Sequence, residues 1–210
     1  MSRPPTALPV LHGVRLLGFA DALAVAGRAG LDLDGTTREL HDAARRGWVQ
    51  HTSFADLEGW SLTRTGKAEN ERLLARQRVE ADPDGVIAAG HRAFLPLNAR
   101  LLRACTDWQL RPTGSGRLVP NDHTDPGWDA RVLGELAALA TDLARLVEGL
   151  AGVLARFGGY DVRFATALRR AQAGRSEWVD GSGIDSCHRV WSQLHEDLLA
   201  TLGIDRRDET

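Results

Sequence analysis

Between Asp129 and Phe157 the chain repeats apolar residues at alternating steps of four and three, through Val132, Leu136, Leu139, Leu143, Leu146, Leu150, Val153 and Phe157. An unbroken repeat of this kind keeps its apolar row on one side of a helix, and that row is buried only when a second helix lies along it. A neighbouring row of Leu133, Ala137, Ala140, Ala144, Val147, Ala151 and Leu154 widens the apolar face. A face this wide suits a helix touched from two sides, as in a bundle that also dimerises. The spacing therefore predicts a helix over 129–157 as the candidate core of a homodimer. Flanking helices are expected over 84–105, 158–173 and 184–202, separated by 111–127 and 174–183. The run Asp82-Pro83-Asp84-Gly85 breaks the pattern and sets this helical unit, 84–204, apart from a first unit over 12–80.

The first unit has a different rhythm. Phe19, Leu23 and Ala26 fall at helical spacing, so a helix is expected over 19–28, closed by a turn at Ala29-Gly30-Leu31. A second helix follows, with Asp34 as its expected N-cap, Leu40 and Ala43 facing inward, and Thr37, Arg38, His41, Asp42 and Arg45 outward. Gly47 ends it. Trp48–His51 and Gly59–Thr63 then read as two short strands joined by a polar loop through Ser53, Asp56 and Glu58. A further helix begins at Thr65 and runs toward Arg78. The order is helix, turn, helix and β-hairpin wing. The fold class is thus mainly α with a small β-hairpin, an N-terminal winged helix-turn-helix preceding a C-terminal helical bundle.

Composition narrows the functions open to such a chain. Its 210 residues carry 26 Lys+Arg against 28 Asp+Glu and are 43% hydrophobic, ordinary values for a chain that buries a core. No stretch of 18 apolar residues occurs, and Met1–Val10, with Pro4, Pro5 and Pro9, lacks the layout of a secretory signal. The expected location is the cytoplasm, with no membrane contact. Residues 1–78 hold 11 basic and 9 acidic side chains, a mild positive excess whose sign suits nucleic acid. Cys105 and Cys187 are too isolated for a disulfide framework or a Cys-based zinc site.

A winged helix binds duplex DNA by laying its second helix in the major groove, while the wing and helix ends fix phosphates. On that geometry Thr37, Arg38 and His41 face the bases, with Arg38 shaped for a bidentate guanine contact. Arg45, Arg46, His51 and Arg64 would meet backbone oxygens. The sequence from the turn through Gly47-Trp48-Val49 and the hairpin to Trp60-Ser61-Leu62-Thr63-Arg64-Thr65-Gly66 resembles the MarR-like winged-helix regulators, in which a small residue-Leu-Thr-x-x-Gly step leads out of the wing. The resemblance spans some 65 residues. It implies a DNA-binding transcription regulator; the heptad helix adds the expectation of a homodimer, and the His, Asp and Trp residues of the helical unit are the motive for a small-molecule effector bound there. A winged helix used for protein contact without DNA stands as the alternative, since Glu39 and Asp42 on the same helix repel phosphate.

In the helical unit, Asp185–Leu199 resembles a signature of actinobacterial winged-helix proteins, to which no activity attaches. His188, Trp191 and His195 fall near one helical face. Together with Trp108, His123 and Asp125 they are candidates for a ligand pocket, for a metal site, or for capped and hydrogen-bonded structural positions. Catalysis is not expected. Adjacent Cys187 and His188 point about 100° apart on a helix, which does not suit a nucleophile and its base. The His-Glu-x-x-His spacing of a hydrolytic zinc site is missing, and Gly114-Ser115-Gly116 lacks the Lys-Ser/Thr of a phosphate loop. No cofactor is implied.

Overall fold

The computed structural model describes residues 7–54, 57–113 and 116–208; Asp56 of the expected loop, the Gly114-Ser115 turn and the start of the proline-rich N-terminus lie outside them. The chain is mainly helical, with two small antiparallel hairpins. It divides into two compact units, Met1–Glu80 together with Leu199–Thr210, and Ala81–Leu198. The first unit is therefore discontinuous in sequence. Among the described residues no helix is long and apolar enough to cross a membrane.

The first unit starts with α1 (Ala7–Leu17), followed by α2 (Ala22–Ala29), α3 (Leu33–Arg45), the hairpin β1 (Val49–Phe54) and β2 (Leu57–Leu62), and α4 (Arg64–Ala81). Helix α1 is additional to the expected pattern. Its Pro9 stands in the first turn, where the backbone N–H groups have no helical acceptor, so the ring is tolerated. From α1 come Val10, Leu11 and Val14, which pack with Val25 of α2, Leu40 and Ala43 of α3, and Val49 and Trp60 of the hairpin. Full burial of each aliphatic side chain contributes roughly 1.5–3 kcal/mol.

Helix α2 starts later than the 19–28 expectation, with Asp21 as its cap, and turns a different face inward. Val25 and Ala26 are buried, whereas Phe19 is 43% exposed and Leu23 67%. The reason lies upstream: Ala20 exchanges backbone hydrogen bonds with Trp60, which holds residues 19–20 extended against β2. Gly59 permits the close approach, since a Cβ there would meet the Phe19 ring at 2.8 Å. The N-cap of α3 is Asp32, whose carboxylate accepts the Gly35 N–H at 2.6 Å, and Asp34 sits in the first turn. Gly47 leaves α3 at φ +72°. Strands β1 and β2 pair from Val49 with Leu62 to Phe54 with Leu57, longer than the segments expected.

The exit from the first hairpin is held by threonines. Thr63 donates its hydroxyl to the Gly47 carbonyl at 2.6 Å and accepts the Gly66 N–H at 3.0 Å, as an N-cap does. Thr65 also donates to Gly47, at 2.7 Å. Gly66 lies against the backbone of Trp48, where a Cβ would come within 1.7 Å of the carbonyl oxygen. Asp205, from the returning C-terminal stretch, feels the charge of Lys67 on α4.

The second unit comprises α5 (Val86–Gln109), the hairpin β3 (Leu110–Pro112) and β4 (Leu118–Pro120), α6 (Pro126–Val153), α7 (Tyr160–Gln172), the short α8 (Glu177–Asp180), and α9 (Cys187–Leu202), whose last residues belong to the first unit. Asp82 caps α5 through the Val86 and Ile87 N–H groups. Asp125 caps α6 through Gly127 and Trp128, with Pro126 at its first position. The expected single helix over 129–157 ends at Val153, and Phe157 belongs to a following 3-10 turn. Gly149 and Gly152 weaken that last turn.

The seam is filled from within the chain. Val132, Leu136, Leu139, Leu143 and Leu150 are buried, and α6 packs against both α5 and α7. Gly90 of α5 meets Leu150 side-on, and Arg100 of α5 bridges Glu135 at 2.7 Å and Asp142 at 2.9 Å. The expectation that this row forms a dimer core is therefore corrected: its partners are the chain's own helices.

Candidate functional site

Helix α3 sorts its residues into two faces. Thr36, Leu40 and Ala43 are buried, while Arg38, His41 and Arg45 stand exposed at steps of three and four. Thr37 is half-buried beside them. The seven side chains expected to meet DNA lie in the first unit, and all are at least partly exposed, but they are not equally available. Arg45 is engaged by Asp42 one turn earlier. Arg46 lies over the Trp48 ring at 4.8 Å. His51 approaches Glu58 across the hairpin at 3.2 Å. Arg38, and Arg64 at the first position of α4, have no ion-pair partner among the described residues.

Two histidines have a packing role that their spacing did not reveal. His41 meets Trp60 edge-on at 5.4 Å, and His51 lies 4.5 Å from the same ring. Trp60 thus joins α3 to the hairpin with an imidazole on each side. The residues that fix α4 against the end of α3, Thr63, Thr65 and Gly66, carry no contact role in the sequence argument. Their signal was the Leu-Thr-x-x-Gly step.

The unit's charge is more even than its first 78 residues suggest. Met1–Glu80 with Leu199–Thr210 contains 13 Lys+Arg and 13 Asp+Glu, because Glu80, Asp205, Asp208 and Glu209 offset Arg206 and Arg207 and the earlier excess. A unit with no net charge exerts no general attraction on a polyanion.

The six ligand candidates of the second unit separate into two groups. Trp108 lies 4.5 Å from His123, whose Nδ1 is 3.0 Å from Asp129, while Asp125 is committed to capping α6. Trp191 donates its indole N–H to Asn98 at 3.1 Å and stacks on Phe94, which also meets His195. Asn98 and Trp108 are ten residues apart on α5, roughly 15 Å along the axis. One pocket cannot draw on both groups. Trp108, Trp191 and His195 are buried, His188 half-buried, and the second group gains His91, whose ring stacks 6.5 Å from that of His195. His91, Phe94 and Asn98 at helical spacing were the signal available for that group.

Burial pushes the Cys105 and Cys187 thiols up to about 12, and the Asp180 carboxylate adds to the rise at Cys105. Such thiols are poor nucleophiles. Among the described residues no group of three or more His, Cys, Asp or Glu side chains is placed to hold a metal ion. Compared with known protein families, characterised proteins and solved structures, the chain has no match.

Proposed function

We propose that the first unit is a winged helix-turn-helix that binds duplex DNA, and that the protein is a homodimeric transcription regulator of the MarR-like kind. The observation that carries this reading is the exposed face of α3, where Arg38 stands without a carboxylate partner between Thr37 and His41. A guanidinium so placed matches the paired acceptors of guanine in the major groove. Arg64, at the start of α4 next to the wing's end, is the phosphate contact that complements it. Two-fold pairing would set two α3 helices about 34 Å apart, one duplex turn, through a surface other than the buried α6 seam.

Fluorescence anisotropy on duplexes selected from genomic fragments tests the reading. Affinity should fall steeply as salt rises, and Arg38→Ala should weaken the best duplex by about 1–3 kcal/mol while Arg64→Ala lowers the salt slope by about one. Absence of binding at low salt, or binding that ignores salt, rejects it.

A second reading has its own observation. The first unit exposes Phe19, Leu23, Leu33 and Leu57 while carrying no net formal charge. Exposed apolar side chains on a unit without net charge suit a protein partner better than a polyanion. Salt-insensitive association of that surface with another protein, without DNA binding, is the outcome that favours it.

A further inference from the structure

A cavity of about 250 Å³ opens between α5 and α6 in the second unit. Its floor is apolar, formed by the buried side chains of Ala104 and Val132. Its walls are charged. Arg100 is held by Glu135 and Asp142, so that guanidinium and the Glu135 carboxylate satisfy one another. The remaining charges are uncommitted: Arg103, Arg131 and Asp107 face the same space, and none has an ion-pair partner among the described residues.

Arg131 is nonetheless held in place. Its guanidinium lies 3.8 Å over the Trp128 ring, and the Trp128 indole donates to the Asp107 backbone carbonyl at 2.6 Å. Stacking leaves the guanidinium's in-plane donors available to a planar anion, the geometry that suits a carboxylate. Arg103 and Asp107 are four residues apart on α5, so a cation and an anion project from one helical face. The volume lies below the range usual for drug-sized ligands and suits a small one.

We propose that this cavity binds a small carboxylate bearing a hydroxyl or amino group. Arg103 and Arg131 take the carboxylate, Asp107 accepts the ligand's donor, and the short apolar part rests on Ala104 and Val132. The donor is required because Asp107 would otherwise face the ligand's anion as a like charge. None of these residues belongs to the two His and Trp groups, and the site stands on the second unit alone. Its occupation is read without DNA, so failure of either proposal leaves the other result standing.

Saturation-transfer NMR on the full chain, with the sodium salts of lactate, malate, serine and leucine, provides the test. At least one should bind with a Kd at or below about 1 mM, and its methyl ester should not. Arg103→Gln and Arg131→Gln should each weaken it about tenfold. Arg92→Gln, an exposed α5 arginine outside the cavity, should leave it unchanged and serves as the control for surface charge. Asp107→Leu should erase the preference for lactate over propionate, because it removes the acceptor for the hydroxyl. No binding by any member at about 10 mM, or binding that survives both arginine substitutions, overturns the site. Propionate binding as tightly as lactate to the unaltered protein overturns the role of Asp107.

Discussion

Gly66→Ala should be among the most damaging single-methyl changes in the first unit. The added Cβ would lie 1.7 Å from the Trp48 carbonyl oxygen and 2.6 Å from its carbon, both backbone atoms that cannot rotate aside. Ordinary contact begins near 3.4 Å, so α4 must retreat by about 1.7 Å from the end of α3. That retreat stretches the Thr63 N–H bond to Trp48, now 3.0 Å, and the bonds of Thr63 and Thr65 to Gly47, at 2.6 and 2.7 Å. Three hydrogen bonds at about 1 kcal/mol each give a loss near 3 kcal/mol, from which up to about 1 kcal/mol of improved helix propensity is recovered. The net cost is about 2–3 kcal/mol, or roughly 10–20 °C in the midpoint of a unit this size. Urea titration followed through the Trp48 and Trp60 indole resonances reports on this unit. Gly27→Ala in α2 is the control, since nothing lies within 4 Å of its Cβ position. It should be neutral or stabilise by up to about 1 kcal/mol. If Gly66→Ala unfolds within about 0.5 kcal/mol of the parent, the steric argument fails.

Other substitutions probe the second unit. Tyr160 donates its hydroxyl to the fully buried Asp197 at 3.0 Å, so Tyr160→Phe should cost about 1–3 kcal/mol in chemical denaturation, and a neutral result would remove that bond from the account. Leu139→Ala, in the internal seam, should cost about 2–5 kcal/mol without altering the oligomeric state by light scattering; a change of state would return the seam to the dimer. The raised thiols remain protonated at pH 8, so a disulfide reagent should modify Cys105 and Cys187 about a thousandfold more slowly in the folded chain than in urea. Rapid labelling in native buffer would contradict their burial.

The elements with strong periodicity were legible in the sequence, and those stabilised by tertiary contact were not. Helix α3 declared its inward face through Leu40 and Ala43, and α6 through its repeat. What the repeat cannot specify is whose helix fills it, because a seam packed by α5 and α7 has the same residue pattern as one packed by a second copy. Helix α1 was hidden by Pro9, which reads as a breaker until the first turn is recognised as needing no donors there. The β3 and β4 hairpin was hidden by its length of three residues per strand and by Pro112 and Pro120. The expected cap Asp34 gives way to Asp32, because the chain path sets the Asp32 carboxylate on the Gly35 N–H.

The candidate sites followed the same division. The outward set on α3 needed only helical geometry, whereas the His and Trp cluster depended on where α5 places Asn98 and Trp108. Arg103, Asp107 and Arg131 left no trace because their meeting depends on two helices lying together with Ala104 and Val132 between them.

The return of residues from Leu199 to the first unit bears on how the chain is made. At about 5–20 residues per second, the intervening Ala81–Leu198 takes roughly 6–24 s to synthesise after Glu80 has left the ribosome's active centre. Throughout that interval the unit carrying α3 lacks Leu199, Ala200 and Thr201, all buried in the finished protein. Ala81–Leu198, being continuous, can collapse as it emerges. The unit begun first is thus completed last, its final residues joining it only after the whole of the second unit has been made.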